Sequence, residues 1–292
     1  MSSFAADWLE LREPADRDAR SSAVVDAVRG REARTAPRSV VDLGSGTGAN
    51  LRYLAPRLGG HQEWVLVDDD PALLAAARAK LIEWGRELGA TVVPNERAIR
   101  IGAPTFTCSV RTVELDLARD LADLALPRGC LVTASALLDL ISAPWLERLA
   151  DLCQSAAAQV LFALTYGGRL ELAPRDADDD FARQCFNRHQ LSDKGFGPAL
   201  GPDAIAAATA TFAARGYRLT SADSDWQLDS SQRNLAATLI DGWLGAALEI
   251  APDERARLER WHAEHRCRIA GGRTTLTVGH RDFAGVVPAV AP

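Results

Sequence analysis

An aspartate followed by glycines at alternating positions, Asp42-x-Gly44-x-Gly46-x-Gly48, is the densest concentration of potential chemistry in the chain. The β-branched pair Val40-Val41 before it reads as a buried parallel strand, and residues able to open a helix follow. Glycines in such a turn let the main chain fold sharply and let a ligand approach backbone that a Cβ would shield. In an open α/β sheet, the turn after the first strand borders the ligand crevice. Gly44, Ser45, Gly46 and Gly48 are therefore expected to cradle a nucleoside-like small molecule. A second acid follows. Residues 64–67 read as the next strand, and Asp68-Asp69-Asp70-Pro71 closes it. A carboxylate at that tip accepts both hydroxyls of a ribose, which singles out Asp68. Asp70 before Pro71 reads instead as the N-cap of a helix over 71–88.

Two cofactor classes compete for this loop. Gly44-x-Gly46-x-x-Ala49 fits the permissive form of the dinucleotide fingerprint. A dinucleotide strand, however, stays apolar up to its glycines. Asp42 suits the ammonium of a methionyl group and repels a pyrophosphate. Taken in register with two later segments, these residues resemble the motifs of the class I S-adenosylmethionine-dependent methyltransferases, over roughly residues 38–141. The resemblance implies an α/β, Rossmann-like fold: a seven-stranded, mostly parallel sheet, the last strand antiparallel, with helices on both faces. It implies S-adenosylmethionine as cofactor and an enzyme that moves its methyl group. It also implies roles. Asp116, after a strand over 106–113, accepts from the adenine amino group, and the Leu117 amide meets the ring. Asp69 stands where the family commonly packs an apolar side chain on the adenine. Ser135, after a strand over 130–133, touches the cofactor, with Leu137 walling the site and Asp139 facing the substrate.

Composition narrows the partners. A formal charge of −6 and a pI near 5.5 disfavour nucleic acid, which recruits a basic patch. No apolar run is long enough to cross a bilayer, and the N-terminus lacks the apolar core of a signal peptide, so a cytoplasmic location is expected. The five scattered cysteines suit a reduced compartment without a disulfide framework. His262, His265 and Cys267 sit in a charged helical stretch with no second ligand cluster, so no metal is assigned.

The elements that must position these groups divide as follows. Residues 1–36 read as a helical segment, two helices broken at Pro14, which the resemblance implies lies over the cofactor site with Arg12 and Arg20 in reach of the methionyl carboxylate. Residues 37–283 form the main domain. Within it, 89–104 reads as a loop or short hairpin, 167–202 as a lid after a fifth strand over 159–165, and 230–269 as a helical insertion. The last two strands are placed at 217–222 and 274–279, and 284–292 reads as a frayed tail. His189 is the only histidine of the lid and the candidate general base. Tyr166, Asn187 and Gln190 are the candidates for touching the acceptor. Trp226, Trp243 and Trp261 are open to walling a pocket, covering the lid or forming a homodimer contact, with core packing the simplest use of each. The function expected is methyl transfer to an O, N or C atom of a small-molecule acceptor. A NAD(P)-dependent oxidoreductase, a non-catalytic S-adenosylmethionine-binding subunit and a protein methyltransferase remain the alternatives.

Overall fold

The computed structural model describes residues 6–29 and 38–287. Two helices, α1 (Ala6–Ala19) and α2 (Ser22–Arg29), precede β1 (Arg38–Leu43), α3 (Ala49–Leu58), β2 (Gly60–Asp68) and α4 (Pro71–Glu87). A hairpin of β3 (Thr91–Pro94) and β4 (Ile99–Gly102) leads to β5 (Phe106–Glu114), β6 (Leu131–Ser135), α5 (Ala143–Ser155) and β7 (Gln159–Ala173). Then come α6 (Asp179–Gln190), α7 (Ala204–Ala214), β8 (Arg218–Asp223), β9 (Trp226–Leu228), α8 (Arg233–Ile250), α9 (Arg255–Ala270) and β10 (Thr275–Val286).

All strands join one sheet in the order β3-β4-β5-β2-β1-β6-β7-β10-β8, with β9 paired to β10. Strands β5, β2, β1, β6 and β7 run parallel, and β10 is antiparallel to its neighbours β7, β8 and β9. The sheet has ten strands where seven are expected. The extra ones are the β3–β4 hairpin, built from the 89–104 segment on the β5 edge, and the short β9. Successive residues of β1 feed opposite layers: Val40 packs with Leu51, Leu54 and Trp64, Val41 with Val132, Trp145 and Phe162. Helices therefore cover both faces, as two-sided apolar strands require. The chain reverses direction across the sheet between β1 and β6, so the crevice opens beyond the ends of those strands.

Three boundaries differ from the sequence expectation. Helix α1 continues through Pro14, and the break falls at residues 20–21. One proline removes one intrahelical bond, a loss that packing of α1 on β9 and α8 offsets. Strand β7 runs on through 166–173, part of which was expected to open the lid, because β10 supplies its ladder as far as Ala173. The burial pattern there alternates strictly, which Gly167-Gly168 masks in the sequence. Residues 284–286, expected to begin a tail, complete β10, while 288–292 lie outside the described residues, as does 30–36 of the N-terminal segment. The insertion expected at 230–269 consists of helices α8 and α9. Among the described residues, no helix is long and apolar enough to cross a membrane.

Candidate functional site

The glycine loop follows β1 and is tied to the tip of β2. Gly44 and Gly46 hold φ of +59° and +50°, a region that L side chains rarely adopt. The Ser45 amide donates to the Val67 carbonyl at 3.0 Å, and the Gly46 amide to Asp68 Oδ2 at 2.8 Å. Asp68 Oδ1 accepts from the Asp70 amide at 3.1 Å. Each carboxylate oxygen accepts more than one bond, so Asp68 keeps capacity for ligand hydroxyls while it braces the loop. Burial pushes its pKa up, against the pull of the two amides. Asp70 caps α4 through the amides of Ala72 and Leu73.

From this loop a single cavity of about 640 Å³ runs beneath α1, α6 and α8. Its inner end is lined by Gly44, Gly46, Asp68, Asp69, Leu117 and Ser135 from the sequence-derived set. Leu73 and Leu115 add apolar surface there, compensating for the acid at Asp69. Leu9 of α1 closes over the loop, and a Cβ on Gly46 would meet its Cδ1 at 3.0 Å. The outer end is a chamber lined by Asp139, Tyr166 and Gln190, and by residues that sequence reasoning missed: His280, Phe186, Lys194 and Leu239. Trp226 and Trp243 also line it, taking the first of the uses open to them, whereas Trp261 is buried against His265 and Asp179.

Several expected site residues stand elsewhere. Asp42 does not line the cavity but lies fully buried beneath the loop. Its Oδ1 accepts from Asn50 Nδ2 at 2.6 Å, and its Oδ2 has no hydrogen-bond partner. Burial raises its pKa to about 7, opposed by the Asn50 bond and the Arg20 charge. Ser45 is buried behind the loop, and Gly48 caps α3. Asp116 does not line the cavity; it caps its own turn through the amides of Ala118 and Arg119 and pairs with the Arg119 side chain. Arg20 donates to Asn50 Oδ1 at 2.7 Å and lies over the Tyr53 ring, outside the cavity. Arg12 does line the cavity, held by Asp16 and stacked over Trp226.

The lid residues are also redistributed. Asn187 sits behind Tyr166, accepting its hydroxyl proton at 2.7 Å while donating to the Gly168 carbonyl. His189, the residue expected as a base, does not line the cavity and has its Nε2 3.1 Å from Glu249 on α8. The histidine that lines the cavity is His280. The β7–β10 pairing shifts register between Val278 and His280, and bulges of this kind re-aim side chains beside sites. His280 pairs with Tyr166 across the ladder, its ring 6.2 Å from that ring and 4.9 Å from Trp226. Burial, reinforced by the Arg12 charge, lowers its pKa to about 3 despite a bond toward the Val278 carbonyl. It is a neutral imidazole whose Nδ1 has no partner. Asp139 is equally enclosed, with Oδ1 unpartnered. Burial raises its pKa to about 6 against hydrogen bonding from the Tyr166 backbone and the charges of Arg12 and Lys194.

No protein-family model matches the chain, and no curated protein matches it. Its structure is similar to that of a cyclopropane-fatty-acyl-phospholipid synthase-like protein from Lactobacillus casei ATCC 334, with 13% identity, TM-score 0.50, and coverage of 94% of this chain and 91% of that one. It is also similar to an S-adenosylmethionine-dependent methyltransferase from Geobacter sulfurreducens in complex with S-adenosyl-L-homocysteine, with 16% identity, TM-score 0.44, and coverage of 94% and 98%. At these identities the likeness to the first establishes the fold, the Rossmann-like fold of class I methyltransferases.

Proposed function

We propose that this chain transfers a methyl group from S-adenosylmethionine to a small-molecule acceptor enclosed beneath α1, α6 and α8. The observation that carries the reading is the continuity of one cavity from the glycine loop and Asp68 into a chamber lined by aromatic side chains. A cofactor on the loop and an acceptor in the chamber would share that one space.

The inner end fits the cofactor. Gly44 and Gly46 offer backbone without a Cβ, Asp68 offers acceptor capacity to ribose hydroxyls, and Leu73, Leu115 and Leu117 offer apolar surface to a base. Three consecutive acids, Asp68 to Asp70, line the crevice, which favours a cationic nucleoside over a pyrophosphate. When bound, the cofactor supplies a methyl group on a sulfonium, already a good leaving group. What remains for this chain is alignment of the acceptor and exclusion of water.

Titration calorimetry of the purified protein with S-adenosylmethionine, S-adenosylhomocysteine and NADPH tests the reading. The first two are expected to bind, and saturation at about 100 times Kd to add roughly 2.7 kcal/mol of stability. Binding and stabilisation by NADPH alone would return the chain to the oxidoreductase alternative.

A further inference from the structure

Two residues that line the cavity hold a backbone conformation that side chains resist. Ala136, just past the end of β6, has φ +53°, and Leu164 on β7 has φ +55°. Each stands one residue beyond the paired Ser135 and Ala163, so the strain falls on adjacent strands at one place in the wall. Such conformations persist only where the surroundings hold them, and they gather at functional sites. At Leu164 the holder is a side chain. In the pairing of β7 with β10, Thr165 meets Arg281 and Phe162 meets Phe283, so Asp282 alone faces both Ala163 and Leu164. This is a β-bulge, which leaves the extra residue without its ladder partner. The Leu164 amide donates instead to Asp282 Oδ1 at 2.9 Å.

The other oxygen of the same carboxylate reaches the cover. Asp282 Oδ2 accepts from the Ser21 amide at 2.9 Å, in the break between α1 and α2. Helix α1 gives Leu9 and Arg12 to the cavity lining and β7 gives Leu164, whereas Asp282 is buried and does not line it. Arg20, the residue before Ser21, extends the connection. Burial pulls its pKa down, and the Asp282 charge is foremost among those that hold it up. Its Nη1 donates to Asn50, which donates in turn to Asp42 beneath the glycine loop. Resting on the methyl-transfer reading, we propose that Asp282 is a positioning residue. With one oxygen on the Leu164 bulge and the other on the α1–α2 break, it fixes the cavity wall and the cover in one relation, and with them the space in which cofactor and acceptor align. A carboxylate suits this task because it accepts at both oxygens, whereas an amide would set an N–H against one of the two donors.

The test compares the parent with Asp282→Asn. Hydrogen exchange of the ligand-free proteins, followed by NMR, should accelerate in the variant at Leu164, Ser21 or both, by at least about tenfold more than at Val41 and Leu66 in the centre of the sheet. Calorimetry should show S-adenosylhomocysteine bound about tenfold more weakly, in proportion to one lost hydrogen bond to a charged group. In a Leu164→Gly background the same substitution should cost about threefold or less, because glycine adopts the left-handed conformation without being held there. Exchange rising evenly across the sheet, unchanged affinity, or a loss that Leu164→Gly leaves intact overturns the proposal. Should Asp282→Asn not fold, the parent decides: S-adenosylhomocysteine should slow exchange at Leu164 and Ser21 together, and slowing at one alone overturns it as well. A parent that does not bind S-adenosylhomocysteine would instead sink the methyl-transfer reading, with the exchange pattern of the ligand-free variant still deciding the role of Asp282.

Discussion

Asp42→Asn offers a sharp separation of stability from function. Asp42 is fully buried, its Oδ2 is unpartnered, and its pKa stands at about 7 instead of the ordinary 3.8. Between those two values the unfolded chain has released its proton and the native protein has kept it. The stability that this carboxyl confers is therefore complete below about pH 4 and is lost as pH rises toward 7. At roughly 1.4 kcal/mol per pH unit, the displacement amounts to on the order of 4 kcal/mol by pH 8. Asparagine keeps an acceptor for the 2.6 Å bond from Asn50 and carries no charge to bury. Urea unfolding of the cofactor-free protein should show the variant gaining on its parent by roughly 3 kcal/mol more at pH 8 than at pH 5. At pH 8, where the native carboxyl is ionised, the same variant should bind S-adenosylmethionine at least about tenfold more weakly, because the loop would lose the negative charge beneath a cationic ligand. A gain independent of pH, or no gain at all, would refute the claim that burial makes the native carboxyl hold its proton up to about pH 7.

Other substitutions probe neighbouring parts. Asp68→Ala should weaken S-adenosylhomocysteine binding at least about tenfold by calorimetry, whereas Asp70→Ala should mainly cost stability, on the order of 1 kcal/mol for the lost cap of α4. Gly46→Ala, at φ +50° and with its Cβ 3.0 Å from Leu9 Cδ1, should destabilise the protein by about 1–2 kcal/mol in urea and reduce cofactor affinity as well. His189→Ala should leave cofactor affinity and turnover unchanged, since its imidazole faces Glu249.

The inner half of the site was legible because its determinants are local. The glycine turn, the acid ending β2 and the cap of α4 each lie within a few residues of sequence, and each reports its own backbone. The chamber was legible only in fragments. Tyr166 and Gln190 were expected there, but His280 sits on the last strand and reaches the site through the pairing of β10 with β7 and a register shift at Gly279. No local pattern announces that. His189 drew attention as the sole histidine of its segment, yet Phe186 and Gln190, four residues apart on α6, turn to the cavity while His189 meets α8. Gly167-Gly168 reads as a turn in isolation, and becomes strand only because β10 lies alongside. The reach of α1 over the loop was anticipated, although the side chain that closes on it is Leu9, Arg20 lies outside the cavity and Arg12, which lines it, is paired with Asp16.

The most direct measurement follows the methyl group itself. Purified protein is incubated with S-adenosylmethionine carrying a labelled methyl and with a fractionated pool of small metabolites, and both labelled product and released S-adenosylhomocysteine are quantified. Label is expected to enter a compound in at least one fraction, matched mole for mole by S-adenosylhomocysteine, and Asp68→Ala to suppress both. Tight binding of S-adenosylmethionine with no label leaving it in any fraction would contradict the account and leave a cofactor-binding protein without catalysis.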